Sequence, residues 1–228
     1  MPERDERDIL APEGGTLVTR KERIIYGPVS SEHYAQLFDD PDSLGTGVAA
    51  FLGRAYDDGD KLLVISTPRH WQLTARSLEH GGYDLSAMAE HGRIVIRDAA
   101  ALLESATHGG VPDAAAFDQS VGDLVREMSA SARVSVYGEL VELLAMDGDF
   151  DSVMHLEALW NELAARCSFR VMCGYSSGHF AALGGETRLR TVCDAHAQVH
   201  TSIGDPLGSW LLKAARLPFR QAPLPARG

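Results

Sequence analysis

The chain has 228 residues, with 21 Lys+Arg against 32 Asp+Glu and a formal net charge of −11. Hydrophobic residues make up 45% and charged residues 23%, values of a globular protein that exclude a disordered or fibrous chain. No uncharged apolar run approaches the ~18 residues a membrane span needs, and the charged start Met-Pro-Glu-Arg-Asp-Glu-Arg has no apolar stretch behind it, so a cytoplasmic protein without membrane contact is expected.

Lys21, Lys61 and Lys213 are the only lysines, and direct nucleic-acid binding is not expected from an acidic chain so poor in them. Cys167, Cys173 and Cys193 are odd in number and lack CxxC spacing, which indicates reduced thiols rather than a disulfide framework or a zinc ribbon.

Residues 1–30 read as an amino-terminal extension in which Arg23-Ile-Ile-Tyr26 is short and apolar enough to be a strand. His33-Tyr-Ala-Gln-Leu-Phe38 is a strand candidate, and Asp39-Asp-Pro-Asp-Ser43 supplies turn and N-cap residues. A helix is predicted next, because Leu44, Val48, Phe51, Leu52 and Ala55 share one face before Asp57-Asp-Gly59 stops the pattern. Leu62-Leu-Val-Ile65, a helix opened by Thr67-Pro68, Ile94-Val-Ile96 and a further helix continue the alternation. Phe117, Val121, Leu124, Val125 and Met128 mark another helix, Val134-Ser-Val-Tyr137 a strand, Val153, Leu156, Trp160 and Leu163 a helix, and Phe169–Cys173 a strand.

The last helix of the domain is predicted over about 186–200. Trp210, Leu211 and Leu217 suggest a short packing helix, and the proline-rich end from Pro218 reads as flexible. Strands apolar on both faces and separated by helices predict an α/β fold of three layers, a mostly parallel sheet with helices on both faces. One domain over 31–204 is expected, followed by a carboxy-terminal extension over 205–228.

Ligands of such sheets bind outside the carboxyl ends of the strands. The residues due there are Ser66-Thr-Pro-Arg-His70, Asp98, Gly138-Glu139 and Gly174-Tyr-Ser-Ser-Gly178. Thr67-Pro68 is an N-cap followed by proline at the first helical position, and Ser66–Trp71 lacks the glycines and lysine of a phosphate-binding loop. Asp98 suits a helix cap or a magnesium ligand, and Glu139, behind an apolar strand and a glycine, needs a partner if buried. Cys193, His196 and His200 fall on one face of the predicted last helix and, with Cys173 and His179 nearby, are weak metal candidates; a hydrogen-bonded core role is the alternative. Glu157 and Asn161 stand one turn apart beside the core residue Trp160, within reach of the sheet rim.

The strings His33 through Phe38-Asp-Asp40, Phe51-Leu52, Asp58-Gly59, Val64-Ile-Ser-Thr-Pro-Arg-His70 and Gly92-Arg-Ile-Val-Ile-Arg-Asp98 follow one another in a characteristic order. Val136-Tyr-Gly-Glu-Leu-Val141, Leu156-Glu-Ala-Leu-Trp-Asn161, Cys173-Gly-Tyr175 and Val192-Cys-Asp-Ala-His196 complete it. In this order and spacing the sequence resembles the MEDS domain, the sensory domain named for methanogen and methylotroph regulators and the dichloromethane-responsive repressor. The resemblance implies a RecA-like or KaiC-like sheet with a degenerate phosphate loop. It also implies a sensor of small molecules, hydrocarbon derivatives among them, that signals to a fused DNA-binding or histidine-kinase segment.

Two departures stand out. The 228 residues leave no room for such a segment, so output through a regulatory protein partner, a homo-oligomer or the tails is expected. Tyr34-Ala-Gln-Leu37 is also less β-branched than the family's first strand, which leaves the sheet edge open.

The expected function is therefore a stand-alone, non-catalytic sensory and regulatory protein without a cofactor. Thr67, Arg69, His70, Asp98, Glu139, Tyr175 and His33 form its ligand site, with His196 helping to close it. The alternatives are a divergent nucleotide-binding protein or ATPase, with Arg69 or His70 taking the phosphate, and a metal or redox sensor built on Cys173, Cys193, His196 and His200.

Overall fold

The computed structural model describes residues 30, 32–181, 184–202, 205–214 and 220–221. Strand β1 (His33–Phe38) ends at Asp39-Asp40, where the Asp40 carboxylate accepts from the Ser43 amide and Pro41 opens helix α1 (Pro41–Asp57). That helix lays Leu44, Val48, Leu52 and Ala55 on the sheet. β2 (Lys61–Ser66) leads to α2 (Pro68–His80), capped by Thr67 as its Thr-Pro sequence requires, then to the short α3 (Leu85–Glu90) and β3 (Ile94–Asp98).

Asp98 caps α4 (Ala99–Ser105) through the Ala101 amide. The small hairpin of β4 (Thr107–His108) and β5 (Val111–Pro112) follows. The helix read around Phe117–Met128 is α5 (Ala114–Phe117) and α6 (Asp123–Ser129), joined by a π-helical turn at Asp118–Gly122. Next come β6 (Val134–Gly138), α7 (Leu140–Met146), α8 (Phe150–Arg166) and β7 (Phe169–Ser176). The chain continues through α9 (Gly185–Ala195), β8 (Gln198–Thr201), α10 (Pro206–Ala214) and β9 (Arg220–Gln221).

Seven strands form one sheet in the order β3-β2-β6-β7-β1-β8-β9, and every pairing in it is parallel. Helices cover both faces, so the three-layer α/β fold is as predicted. α1, α2 and α3 bury Leu62, Val64, Tyr137 and Met172 on one side. On the other side the layer from α4 to α10 buries Leu63, Val136, Val171 and Trp160.

Three expectations change. β1 lies inside the sheet between β7 and β8 although it has no β-branched residue, because ladder bonds on both sides and buried Ala35 and Leu37 hold it there. The helix expected to about residue 200 ends at Ala195; His196 is extended (φ −121, ψ 146), and Val199 and Thr201 join a strand against β1. β7 runs on to Ser176, paired with Phe38, so Gly174 and Tyr175 lie within a strand and not in the loop after it. The strand candidate at 23–26, Leu217 and most of the proline-rich end lie outside the described residues.

From β1 the chain crosses by α1 toward β2, whereas from β7 it crosses by α9 to β8 on the opposite side of β1. The carboxyl ends of β1 and β7 therefore bracket the crevice that this topology opens. Beside it Gly174 lets Tyr137 lean across β7, since a Cβ there would meet the Tyr137 hydroxyl at 2.7 Å. Gly174→Ala is expected to destabilise the protein by about 1–3 kcal/mol by displacing Tyr137, as read by denaturant unfolding.

Candidate functional site

Glu139 follows β6 and is fully buried. Its carboxylate accepts from the Ser66 hydroxyl (2.7 Å), the Thr67 amide (2.9 Å) and the Tyr137 hydroxyl (3.0 Å). Burial, with the Glu139 charge beside it, raises the Tyr137 phenol well above its ordinary range, so Tyr137 stays a donor. His70 Nδ1 stands 3.1 Å from Glu139 Oε2 outside hydrogen-bond geometry, an ion pair when the ring is protonated. Glu139 holds this imidazole above its ordinary 6.5 against the effect of partial burial, and the Glu142 charge adds to the pull.

One turn further on, buried Glu142 accepts from the Ser176 amide (2.8 Å) and faces His179 Nε2 at 3.0 Å. The carboxyl rim of the sheet thus carries two imidazoles, His70 and His179, with side chains 16% and 17% exposed and each backed by a buried carboxylate.

Of the residues expected at the ligand site, Thr67, His70 and Glu139 come together here. Arg69 is exposed beside them, and Asp98 is exposed and occupied as the cap of α4. Tyr175 and His33 do not reach the rim. Residues of a strand alternate between faces, so Tyr175 points to the α8 layer, and His33 begins β1 at the end opposite the crevice. Glu142 lacked a sequence signal beyond its charge among Leu140, Val141, Leu143 and Leu144.

His33 and Tyr175 belong to a second cluster, inside the core. Glu157 on α8 meets His33 Nε2 at 3.0 Å and His196 Nε2 at 3.2 Å, lies 3.7 Å from Cys173 Sγ and accepts from the Tyr175 hydroxyl. All four side chains around it are buried. Burial opposes ionisation of Glu157, whereas the His196 and His33 rings, when protonated, outweigh it and hold the carboxyl well below the usual range. Burial pushes Cys173 and Tyr175 up and, with His196 alongside, His33 down.

Of the residues named as weak metal candidates, Cys173 and His196 are united here. Cys193 is not: burial and Asp194 push its thiol up to about 12 in the packing beside α8. His200 lies on the opposite face of β8, edge-on to Tyr34. Glu157 and His33 complete the cluster in their place. The signal for Glu157 was a carboxylate inside the apolar stripe of a helix.

A groove of about 220 Å³ runs between α1 and β8, lined by Tyr34, Phe51, Met172, Gln36, Arg54 and Arg170 among others. None of the described helices is long and apolar enough to cross a membrane.

In comparison with known proteins, the family model described as the methanogen/methylotroph, DcmR sensory domain (MEDS) matches residues 32–197, well over half of the chain. No curated protein matches the sequence.

Removing the Glu139 side chain leaves the Ser66, Thr67 and Tyr137 donors without their acceptor. Glu139→Ala is expected to cost about 3–5 kcal/mol, and Glu139→Gln, which keeps an acceptor, less, in chemical denaturation. Because the folded state raises the His70 value, its ion pair stabilises fully below pH 6.5 and is lost as pH rises past the raised value. The stability difference between the wild type and His70→Ala should shrink over that rise; a difference constant with pH would mean the ring contributes packing alone.

Proposed function

Since the chain belongs to the MEDS sensory domain family, we propose that it is a non-catalytic signal-transduction protein that binds a small molecule in the crevice between β1 and β7. The observation that carries this reading is the pair of half-buried imidazoles, His70 and His179, each backed by a buried glutamate at the carboxyl ends of the strands. Such groups are oriented without being sealed from solvent, and each can give or take a hydrogen bond. The bound state is passed to a regulatory protein partner.

The same geometry weighs against nucleotide. Helix N-termini attract phosphate through free amides and the positive end of the helix dipole. Here the protein's own carboxylates take those places. Asp40 caps α1, Glu139 takes the Thr67 amide at α2, Asp98 caps α4, and Asp205 accepts from the Gly208 amide in α10. Desolvation and, after it, the Asp205 carboxylate also push Asp39 up. This is how a RecA-like or KaiC-like sheet would look after its phosphate loop degenerated, and Arg69 and His70 offer little to a triphosphate among so many acids.

A second placement of the ligand is the groove beside α1, favoured by its aromatic walls and two guanidinium groups.

Native mass spectrometry of the full chain tests the reading. A retained small organic mass, unchanged by Mg-ATP and lost in His70→Ala but not in the groove-filling Ala50→Phe, is expected. The reverse pattern moves the ligand to the groove. A one-nucleotide mass increase with magnesium-dependent phosphate release overturns the sensory reading in favour of an ATPase.

A further inference from the structure

The cluster around Glu157 contains a conflict of hydrogen-bond roles that its own residues do not resolve. Asn161 donates both protons of its amide nitrogen to carbonyls, Glu157 O and Ala195 O, at 3.1 Å each. Its Oδ1 is therefore an acceptor, taken by the Ser30 amide at 2.9 Å and by His33 Nδ1 at 3.2 Å. His33 thus carries its proton on Nδ1. His196 does too, because its Nδ1 lies 2.6 Å from the Val192 carbonyl. With both Nδ1 protons spoken for, the two neutral rings aim Nε2 lone pairs at the Glu157 carboxylate, acceptor against acceptor, and the single thiol proton of Cys173, 3.5 Å from His33 Nε2 and 3.7 Å from Glu157, can serve only one of them. His196 Nε2 is buried and has no hydrogen-bond partner.

Protonating one ring removes only one of the two contacts. Protonating both places two cations with ring centroids 4.2 Å apart in the core.

We propose that His33, Glu157, Cys173 and His196 bind a divalent transition-metal ion of the zinc type in the protein core.

Each ring already has the arrangement that metal-bound histidines use, with Nδ1–H held by a carbonyl so that Nε2 faces the ion. The spacing also fits. With Zn–N near 2.0–2.1 Å and Zn–S near 2.3 Å, tetrahedral donors sit about 3.3–3.6 Å from one another. The pairs here measure 3.0 Å (His33 Nε2 to Glu157 Oε2), 3.7 Å (Cys173 Sγ to Glu157 Oε2) and 3.5 Å (His33 Nε2 to Cys173 Sγ), and His196 Nε2 lies 3.2 Å from the other carboxylate oxygen, Oε1. All four donor atoms lie within 4.8 Å of one another.

Charge balances as well. The Cys173 thiol gives up its proton to solvent when the metal–sulfur bond forms, so a dication meets one thiolate, one carboxylate and two neutral rings, and the buried site is neutral. Imidazole, thiolate and carboxylate together suit zinc, cobalt or ferrous iron rather than magnesium or calcium. The Tyr175 hydroxyl, donating to Glu157, orients the carboxylate from outside the donor set. The ion would join β1, β7, α8 and the end of α9, and in so closed a place it enters during folding.

The test is full-chain protein without a histidine tag, produced in minimal medium supplemented with cobalt. One equivalent of cobalt is expected, with the intense visible bands of a tetrahedral site and a thiolate-to-cobalt charge-transfer band. Cys173→Ser should remove the charge-transfer band, whereas the Cys167→Ser, Cys193→Ser double variant should keep it. Folded wild-type protein, judged by circular dichroism, with metal well below one equivalent overturns the proposal. So does a charge-transfer band that survives Cys173→Ser.

Discussion

Glu157 carries its carboxyl group in a place from which water is excluded, and the surrounding architecture answers that constraint. A buried anion is tolerated only if positive or hydrogen-bonding groups converge on it. His33 arrives from the first residue of β1, Cys173 and Tyr175 from alternate positions of β7, and His196 from the turn that ends α9. Asn161, one turn along α8, holds the start of β1 through the Ser30 amide and the end of α9 through the Ala195 carbonyl. Elements distant in the chain are thereby set in one register. The Ala197 amide adds a backbone bond to the His33 carbonyl, so the strand that follows His196 is delivered against β1.

The crevice and the core cluster share β7, and the alternation of a strand keeps them apart. Cys173 and Tyr175 turn to α8. Gly174 between them faces the other way and admits Tyr137, which donates to Glu139 at the rim. At the end of the strand the Ser176 amide reaches Glu142. A ligand that moved His70 or His179 would act on glutamates bonded directly to β6 and β7, which is the route into the sheet that the proposed site would use. The helix N-termini at this rim already hold carboxylates.

Much of the fold was legible in local signals. The α1 boundaries follow from Asp40-Pro41 at one end and the Asp57-Asp58-Gly59 stop at the other. Thr67-Pro68 marked the start of α2, and the apolar runs at Leu62–Ile65 and Val134–Tyr137 are strands buried on both faces. The errors fell where tertiary pairing overrides pattern. Val199 and His200 continue a helical stripe in sequence, but a free ladder edge on β1 draws them into a strand. Nothing local says that β7 stays paired with β1 as far as Ser176, so the local pattern ends the strand at Cys173, before Tyr175.

The site divides in the same way. Glu139 and His70 were found from the sequence because a carboxylate just past an apolar strand, and a histidine in the first turn of a capped helix, must lie at the carboxyl rim of a parallel sheet. By itself the sequence determined the fold class and the lack of phosphate-loop glycines and lysine at Ser66–Trp71, since periodicity, capping and glycine content are local properties, and the order of its motifs carried the match of residues 32–197 to a sensory family. Only the tertiary structure decided that His33 and His196, separated by almost the whole domain, meet over Glu157, and that His200 does not. Which side chains share a cavity depends on strand order and face, and these emerge only when the sheet is assembled.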